Sequence, residues 1–181
     1  MRAMAAAIVL VLSTSSTAYA VPVLHLAANV GAQRTSVEKD DGAPKGWGPR
    51  WEISAGVILG GWLAIDGVAA SSSYSDSQLR CGVNRVLYDI HVTDSWLGWR
   101  LLVYPMNTVF FGVGHMSIHT TENGSLGSNA FDNTTWEIVF GGNVFHAQYA
   151  NIQTQFTIGS YDRFHDLEHV HFMSAGLGVQ F

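Results

Sequence analysis

Apolar and polar residues alternate through the last eleven residues of the chain. Apolar side chains take every second position, and small or polar side chains take most of the positions between them. Because successive side chains of a β-strand point to opposite faces, this pattern predicts a strand with one apolar face. The apolar set is Met173, Ala175, Leu177, Val179 and Phe181.

Seven further segments show the same period of two, which predicts an all-β chain of eight strands. Gly60 and Gly61 indicate a tight hairpin turn, and Pro105 indicates the end of the fourth strand. The facing of the fifth strand stays open at Phe110 and Phe111, although the glycines that follow favour a crowded interior on their face. The predicted strands are 24–34, 50–59, 62–74, 86–104, 108–119, 134–145, 152–159 and 171–181.

The connections between these strands alternate between long and short. The long ones are polar and cover residues 35–49, 75–84, 120–133 and 162–168. The first three contain Gly, Ser or Asn, as loops do, and the last carries most of the charge of its region. Short turns at one end and long loops at the other are typical of transmembrane β-barrels. The cadence therefore predicts one eight-stranded antiparallel up-and-down barrel, with both ends of the chain on the periplasmic side.

The first twenty residues have the pattern of a secretory signal peptide. Arg2 is followed by the apolar run Ala5–Leu12 and by the small-residue cleavage pattern Ala18-Tyr19-Ala20. The apolar run is shorter than the roughly 20 residues that a spanning helix needs. We therefore expect residues 1–20 to be removed on export and residues 21–181 to form a single barrel domain.

Composition narrows the class of protein. Charged residues make up 13% of the chain, about half of the usual 25% or so, and the net charge is −5. A nucleic-acid-binding role would need a basic surface, so it is not expected. Cys81 is the only cysteine, so an internal disulfide is excluded.

Together, the signal peptide, the hairpin cadence and the aromatic chain end resemble the small outer-membrane β-barrel family, of the OmpA membrane-domain and OmpX type. The resemblance implies an integral protein of the outer membrane of a Gram-negative bacterium. It also implies contact with outer-membrane lipid and lipopolysaccharide, and recognition of Leu177, Val179 and Phe181 by the barrel-assembly machinery. We expect a monomer without a cofactor.

Such a barrel carries aromatic side chains at both membrane interfaces. We expect an outer girdle of Trp51, Trp136 and Tyr161. The residues expected in the periplasmic girdle are Trp62, Tyr104, Phe145, Tyr149 and Phe181.

Four charged residues fall on the predicted inner face: Glu52, Asp66, Arg100 and Glu137. Burying a charge is costly unless it is paired, so we expect Arg100 to pair with one or more of the acids. Because side chains fill a barrel of eight strands, a structural network is favoured. A narrow, gated ion path is the alternative.

Lipid A-modifying enzymes are a second alternative. Asp94-Ser95-Trp96 is similar to a short stretch of the lipid A palmitoyltransferases, a type of acyltransferase, and would need His25 or His91 beside it. His115-Met116-Ser117 has the His-x-Ser spacing of lipid A deacylases, with Glu122 or Glu137 as the supporting acid. Short matches of this kind often arise by chance, so no catalytic residue is predicted.

Two other readings are weaker. His165, His169 and His171, with Asp166 and Glu168, have a spacing that metal sites use, but no tight metal-binding motif is present, so no metal site is predicted. A soluble lipocalin-like barrel would place its apolar residues inside and carry more charge outside. The sequence therefore predicts a membrane barrel with a structural, adhesion or envelope-integrity role that is exercised through its outer loops.

Overall fold

Eight β-strands make up almost all of the chain that the computed structural model describes. The described residues are 22–37, 45–80, 86–106, 108–124, 127–146, 150–163 and 168–181. The strands are β1 (Val23–Val37), β2 (Gly46–Leu59), β3 (Leu63–Arg80), β4 (Val86–Met106), β5 (Val109–Gly124), β6 (Gly127–His146), β7 (Asn151–Arg163) and β8 (Glu168–Gln180).

Each strand pairs with its neighbour in sequence, and the last pairs with the first. Every pairing is antiparallel, and β1 joins β8 over a register from Ala27↔Gln180 to Val37↔Val170. This last ladder closes the sheet, which leaves no free edge along the barrel wall. The predicted fold class, an eight-stranded antiparallel up-and-down barrel, is confirmed.

The predicted facing of the strands is also confirmed. Large apolar side chains such as Leu97 and Leu177 are exposed on the outer wall, whereas Glu52, Arg100 and Glu137 are buried inside. At the position that the sequence left open, Phe110 points into the lumen and Phe111 points outward, with exposed fractions of 1% and 52%.

The turn between β2 and β3 has the geometry that its glycines predict. Gly60 and Gly61 have φ values of 63° and 73°, in the left-handed region that glycine adopts without strain. Trp62 N donates to Leu59 O across the turn. Two consecutive positive φ values are characteristic of the turns that match the twist of a hairpin.

The long polar connections are shorter in the structure than predicted, because the strands extend into them. β3 continues to Arg80 and β4 begins at Val86, so most of the expected loop 75–84 is strand. β5 continues to Gly124 and β6 begins at Gly127, so the expected loop 120–133 is almost entirely a hairpin. β1 and β2 likewise extend into the expected loop 35–49.

Two residues of the expected aromatic girdles lie inside the barrel instead. Tyr104 and Tyr161 are 8% and 3% exposed and pack in the lumen, so their assignment to the lipid-facing girdles was wrong. Trp51, Trp136 and Phe145 are exposed on the outer wall, as predicted. Phe181 is exposed as well, Trp62 is partly buried, and the candidate at residue 149 lies outside the described residues.

Apolar side chains fill the lumen at two levels. The cluster at the end of the barrel where β1 begins and β8 ends consists of Ala64, Leu102, Tyr104, Phe110 and Val139, with Ile58 packed against it. The cluster toward the opposite end consists of Val68, Ala70, Trp96, Met116, Ile118, Tyr161, Val170 and Phe172. On β3, Asp66 falls between Ala64 and Val68, so a polar layer separates the two clusters.

The expected signal peptide and Cys81 lie outside the described residues, and the division into residues 1–20 and 21–181 stays a prediction. Among the residues that are described, no helix is long and apolar enough to cross a membrane.

Candidate functional site

The polar layer of the lumen is centred on Arg100, and strand register explains its position. Arg100 on β4 lies opposite Gly114 on β5, and Gly114 lies opposite Glu137 on β6. Because glycine has no side chain, Arg100 and Glu137 can meet across β5. A Cβ atom at Gly114 would lie 2.7 Å from Glu137 Oε1. The glycine thus provides the space for the ion pair.

Arg100 binds two carboxylates at once. Its Nη1 and Nη2 donate to Glu52 Oε1 and Oε2 at 2.6 and 3.0 Å. Its Nε and Nη2 donate to Glu137 Oε1 at 2.9 and 2.6 Å. All three side chains are almost completely buried. Two carboxylates around one guanidinium leave an excess negative charge, which needs a second cation nearby.

Arg50 provides that second cation. Its Nη2 lies 3.2 Å from Glu52 Oε2 and 3.9 Å from Glu137 Oε2, and its Nη1 donates to Gln33 at 2.8 Å. The guanidinium also lies over the ring of Trp96, 4.9 Å from the centroid. Two arginines and two glutamates are therefore balanced in charge, as a buried network requires.

Amide side chains extend the network toward β7 and β1. Gln155 Nε2 donates to Glu52 Oε1 at 2.7 Å. Asn29 Nδ2 donates to Gln155 Oε1 at 3.2 Å, and Gln153 Nε2 donates to Asn29 Oδ1 at 3.1 Å. Each amide satisfies a neighbour, so this part of the polar layer is linked across β7, β1 and β2.

Asp66 is not a hydrogen-bond partner of Arg100, although the two residues lie opposite each other in register. Its carboxylate oxygens contact His25 Nδ1 at 2.7 and 2.8 Å. Tyr104 Oη lies 3.4 Å from His25 Nε2. The structure therefore brings together three of the four predicted charges and gives Asp66 a separate partner.

A small cavity borders the charged network. Its volume is about 20 Å³, and Asn29, Arg50, Glu52 and Gln155 are among its lining residues. A single water needs roughly 10–15 Å³ of such volume, so this cavity holds about one. The two apolar clusters lie on either side of this layer.

Arg50 and His25 were not predicted from the sequence as partners of these charges. Both have the parity of the inner face, since Arg50 is two residues before Glu52 and His25 alternates with Leu24 and Leu26. That signal was present for both. Which acid each would reach depends on strand stagger, which the sequence pattern does not specify.

The candidate lipid A motifs are not assembled as the family resemblances require. Asp94 points into the lumen and accepts from Thr120 at 2.7 Å, whereas Ser95 is exposed on the outer wall. His25 is bound to Asp66, and His91 contacts Ser75 at 3.0 Å.

The acids expected to support the His-x-Ser motif lie on the opposite face of the sheet. Glu122 and Glu137 are buried on the inner face, whereas Ser117 is exposed on the outer face of the same wall. His115 is packed between two tryptophans, with its ring centroid 6.4 Å from Trp99 and 4.9 Å from Trp136. Neither glutamate can support His115 from across the sheet.

The histidine-rich segment forms a pair and a ring contact. His169 Nδ1 lies 2.5 Å from Asp162 Oδ1, and the rings of His169 and His171 are 4.7 Å apart. The other members of the segment, residues 165, 166 and 168, have no described side chains. In the part of the chain that is described, no group of three or more metal-ligating side chains is found.

The three residues predicted as an assembly signal share the outer face of the closing strand. Leu177, Val179 and Phe181 are all exposed there. Phe181 N donates to Leu26 O at 2.8 Å, and Leu26 N donates to Phe181 O at 3.3 Å. The chain end is therefore hydrogen-bonded to β1 at the seam of the barrel.

No protein-family model and no curated protein matches the sequence. Solved structures do match the fold. Ail, the attachment invasion locus protein of Yersinia pestis, in complex with the heparin analogue sucrose octasulfate, aligns with a TM-score of 0.57 and 13% identity. The alignment covers 87% of this chain and 99% of Ail.

A second structure of Ail aligns with a TM-score of 0.53 and 14% identity, over 87% of this chain and 98% of that one. Neisserial surface protein A (NspA) aligns with a TM-score of 0.56 and 10% identity, over 87% of this chain and 95% of NspA. Identities this low carry the fold alone. The chain therefore has the fold of the small eight-stranded outer-membrane β-barrels.

Proposed function

We propose that this chain is an integral outer-membrane protein that works as a closed barrel and binds partners through the outer ends of its strands. The single observation that carries the proposal is the inversion of an ordinary protein surface. The outer wall is apolar, whereas charged side chains such as Glu52, Arg100 and Glu137 are buried in the lumen. Soluble monomers rarely expose contiguous apolar patches above a few hundred Å².

The exposed apolar side chains surround the barrel. They come from all eight strands, and a closed barrel satisfies its backbone in hydrocarbon without a free edge. Outer-membrane lipid and lipopolysaccharide are therefore the expected surroundings of this wall. Representative members are Leu26, Val30, Ile53, Ile65, Leu97, Val113, Ile138, Phe156, Ile158 and Leu177.

The outer extension is the proposed binding surface. We define it as residues 75–80 of β3, 86–93 of β4, 120–124 of β5 and 127–133 of β6. These four strands have 16 to 21 residues, whereas the other four have 13 to 15. A spanning strand needs only about 9–11 residues, so the extra length places a polar sheet beyond the membrane.

The fold neighbours support an attachment role for such a surface. Ail is named an attachment invasion locus protein, and NspA is named a surface protein. In this chain a recess of about 470 Å³ lies on the outer extension, lined by Ser75, Asp89, Ile90, His91, Asn123 and Gly124. We therefore assign an attachment role to the outer extension and do not assign a role in ion conduction to the barrel.

Membrane placement is tested with the full chain of 181 residues, expressed with its predicted signal peptide. Outer membranes are isolated, and gel migration is compared before and after boiling. We expect the protein in the outer-membrane fraction, with a band that shifts on boiling because the barrel resists unfolding in detergent. A soluble periplasmic product, or a band that never shifts, would contradict the proposal.

Attachment is tested by shortening the outer extension without changing the strand facing. Deleting residues 121–124 and 127–130 removes four cross-strand pairs, from Thr121↔Ala130 to Gly124↔Gly127. An even number preserves the inward and outward alternation. We expect a heat-modifiable barrel whose host bacteria no longer adhere to cultured cells. If adherence is retained and detergent resistance is lost instead, envelope integrity is the role.

A further inference from the structure

Two histidines occupy neighbouring outward positions on β8, at the outer end of the barrel. One residue separates His169 from His171, so both side chains point to the same face of the strand. Their ring centroids are 4.7 Å apart. Neither residue lines the recess on the outer extension. The proposed function therefore makes no use of this imidazole pair.

The distance between the two rings is that of two imidazoles on one metal ion. A metal–nitrogen bond of about 2.0–2.1 Å places each ring centre about 3.2 Å from the ion. Two such rings, at a ligand angle of about 90–110°, have centres about 4.5–5.2 Å apart. The observed 4.7 Å between His169 and His171 lies within this range. Both rings can therefore reach one ion without a movement of the strand.

Asp162 already orients one of the two rings. It lies opposite His169 in the β7–β8 register, and its Oδ1 is 2.5 Å from His169 Nδ1. When Nδ1–H donates to this carboxylate, Nε2 is left as the nitrogen with a free lone pair. Metal-ligating histidines usually donate their other ring N–H to a carboxylate in this way. Asp162 is thus a positioning residue for His169.

The second ring can turn toward the first. His171 is exposed, and within the described part of the chain its imidazole has a ring contact with His169 and no hydrogen bond. The χ2 torsion of histidine has a broad range, so rotation can direct a nitrogen of His171 toward an ion on His169.

The arginine that lies near His171 on β1 is directed away from the pair. Arg34 is opposite Met173, whereas His171 is opposite Ser36, so Arg34 lies diagonally across the ladder from His171. Its guanidinium lies over the ring of Trp47 on β2, 5.7 Å from the centroid. The positive charge of Arg34 is therefore held on the β2 side, where it opposes a bound cation less.

An ion from the medium can reach the pair. Trp136 lies opposite Ser160 on β7, and Ser160 lies opposite His171, so His171 is level with Trp136. Tryptophans of outer-membrane barrels lie at the headgroup level. His169 is two residues further toward the outside, and its side chain is 41% exposed. The approach to His169 therefore does not cross hydrocarbon.

We propose that His169 and His171 bind a divalent transition-metal ion, Cu²⁺ in preference to Zn²⁺, with Asp162 orienting His169. Imidazole suits these ions and affinity is highest for Cu²⁺, whereas Ca²⁺ and Mg²⁺ prefer oxygen ligands. No group of three ligating side chains is found among the described residues, so water completes the coordination. The inference goes beyond the proposed function and does not depend on the attachment role.

The test uses protein expressed from the full chain without a histidine tag and extracted in its folded form from outer membranes into detergent. Cu²⁺ alone is added up to one equivalent. Electron paramagnetic resonance counts the nitrogen ligands from their hyperfine splitting, and calorimetry measures the affinity. Zn²⁺, Ca²⁺ and Mg²⁺ are then added as competitors.

His119→Ala is the matched control. His119 also forms an exposed pair with a carboxylate, with its Nδ1 2.7 Å from Asp132 Oδ1. The next outward positions on β5 are Ser117 and Thr121, so no second imidazole stands beside it on that strand. A histidine–aspartate pair without a second histidine provides only one nitrogen ligand, so its removal leaves the spectrum unchanged.

We expect one Cu²⁺ per chain with two nitrogen ligands, displaced by Zn²⁺ in excess and not by Ca²⁺ or Mg²⁺. His169→Ala and His171→Ala each abolish the two-nitrogen spectrum. Asp162→Asn keeps that spectrum and lowers the affinity about ten- to a hundredfold, the usual effect of removing the partner of a metal-ligating histidine.

Three results would overturn the inference. They are no binding of Cu²⁺ at one equivalent, a two-nitrogen spectrum that persists in the double variant His169→Ala, His171→Ala, and loss of that spectrum in His119→Ala. Gel migration before and after boiling shows that each sample is a folded barrel. A heat-modifiable protein that binds no Cu²⁺ refutes the metal site and leaves the membrane placement standing.

Discussion

Arg100 and Glu52 form a bidentate ion pair at the centre of the lumen, with N···O distances of 2.6 and 3.0 Å. Fork-to-fork geometry makes this one of the stronger kinds of hydrogen-bonded pair. Burial makes it a demanding one, because each charge has lost its water and depends on the other. Removing either partner therefore leaves the other as a buried, unpaired charge, which destabilises the fold.

Glu52→Gln is therefore expected to lower the free energy of unfolding by about 3–5 kcal/mol, the usual result of leaving a buried charge unpaired. The variant leaves Arg50 and Arg100 with Glu137 as the one remaining carboxylate of the network. Urea unfolding in lipid vesicles, followed by tryptophan fluorescence, measures the change.

The matched control is Asp162→Asn, which removes a carboxylate from an exposed pair with His169. Exposed pairs contribute about 0–1 kcal/mol, so this change is expected to be small. Similar effects of the two substitutions would mean that the lumen network is well hydrated.

Gly114→Ala is expected to destabilise the barrel by about 1–3 kcal/mol, the typical effect of overpacking. The new Cβ would lie 2.7 Å from Glu137 Oε1 and 3.0 Å from Trp99 O, so the carboxylate must move away from Arg100. The measurement is the midpoint of urea unfolding in vesicles.

Gly67→Ala is the control for the intrinsic effect of replacing glycine in a strand. Its Cβ would point to the outer wall, with Ala55 O at 3.7 Å as its nearest neighbour. We expect a midpoint equal to or above the wild type, because alanine restricts the unfolded chain more than glycine does. Equal losses in both variants would show that Gly114 makes no special space.

Much of this architecture follows from the sequence because a lipid-facing wall requires apolar residues at every second position of a strand. Along β8 and β2, apolar residues alternate with small or polar ones, and the structure confirms that facing. Phe110 and Phe111 broke the alternation, and the glycines that follow favoured the face of Phe110 as the interior. In the structure the room for this ring is at Gly141, where a Cβ atom would lie 2.5 Å from Phe110 Cζ.

The sequence predicted the outer strand ends poorly for a physical reason. Beyond the membrane both faces of a strand meet water, so Ser, Asn and Gly are tolerated on either side and the period of two fades. Segments such as Gly127–Asn133 then read as loops although they are paired. Likewise, the pairing of His25 with Asp66 spans 41 residues and depends on strand stagger.

Purified wild-type protein is expected to show no stepwise conductance in planar bilayers. Trp96 and Phe172 pack with ring centroids 4.7 Å apart on the outer side of Arg100, and Tyr104 and Phe110 pack on the periplasmic side. Ions would have to cross both apolar layers, where their desolvation is costly.

The double variant Trp96→Ala, Phe172→Ala tests this explanation by removing the outer apolar layer, with Trp99→Ala on the lipid-facing wall as its control. Brief conductance events in the double variant alone would fit a lumen that is closed by packing. Steps in the wild type that disappear in Arg100→Ala would instead establish the channel function.

Phe181→Ala is expected to lower the amount of folded barrel in the outer membrane of living cells far more than it lowers the stability of the purified protein. The backbone of Phe181 exchanges two hydrogen bonds with Leu26, which the substitution leaves in place, and the exposed ring is free for recognition by the assembly machinery.

Phe111→Ala removes another exposed ring from the outer wall and serves as the control. Each change is expected to cost about 1–2 kcal/mol of stability in vesicles, from lost contact of the ring with lipid. Heat-modifiable protein is then quantified in outer membranes at equal expression. If only Phe181→Ala lowers the amount of heat-modifiable protein, the chain end is an assembly signal. If both variants lower it equally, Phe181 acts only as a lipid-contacting residue.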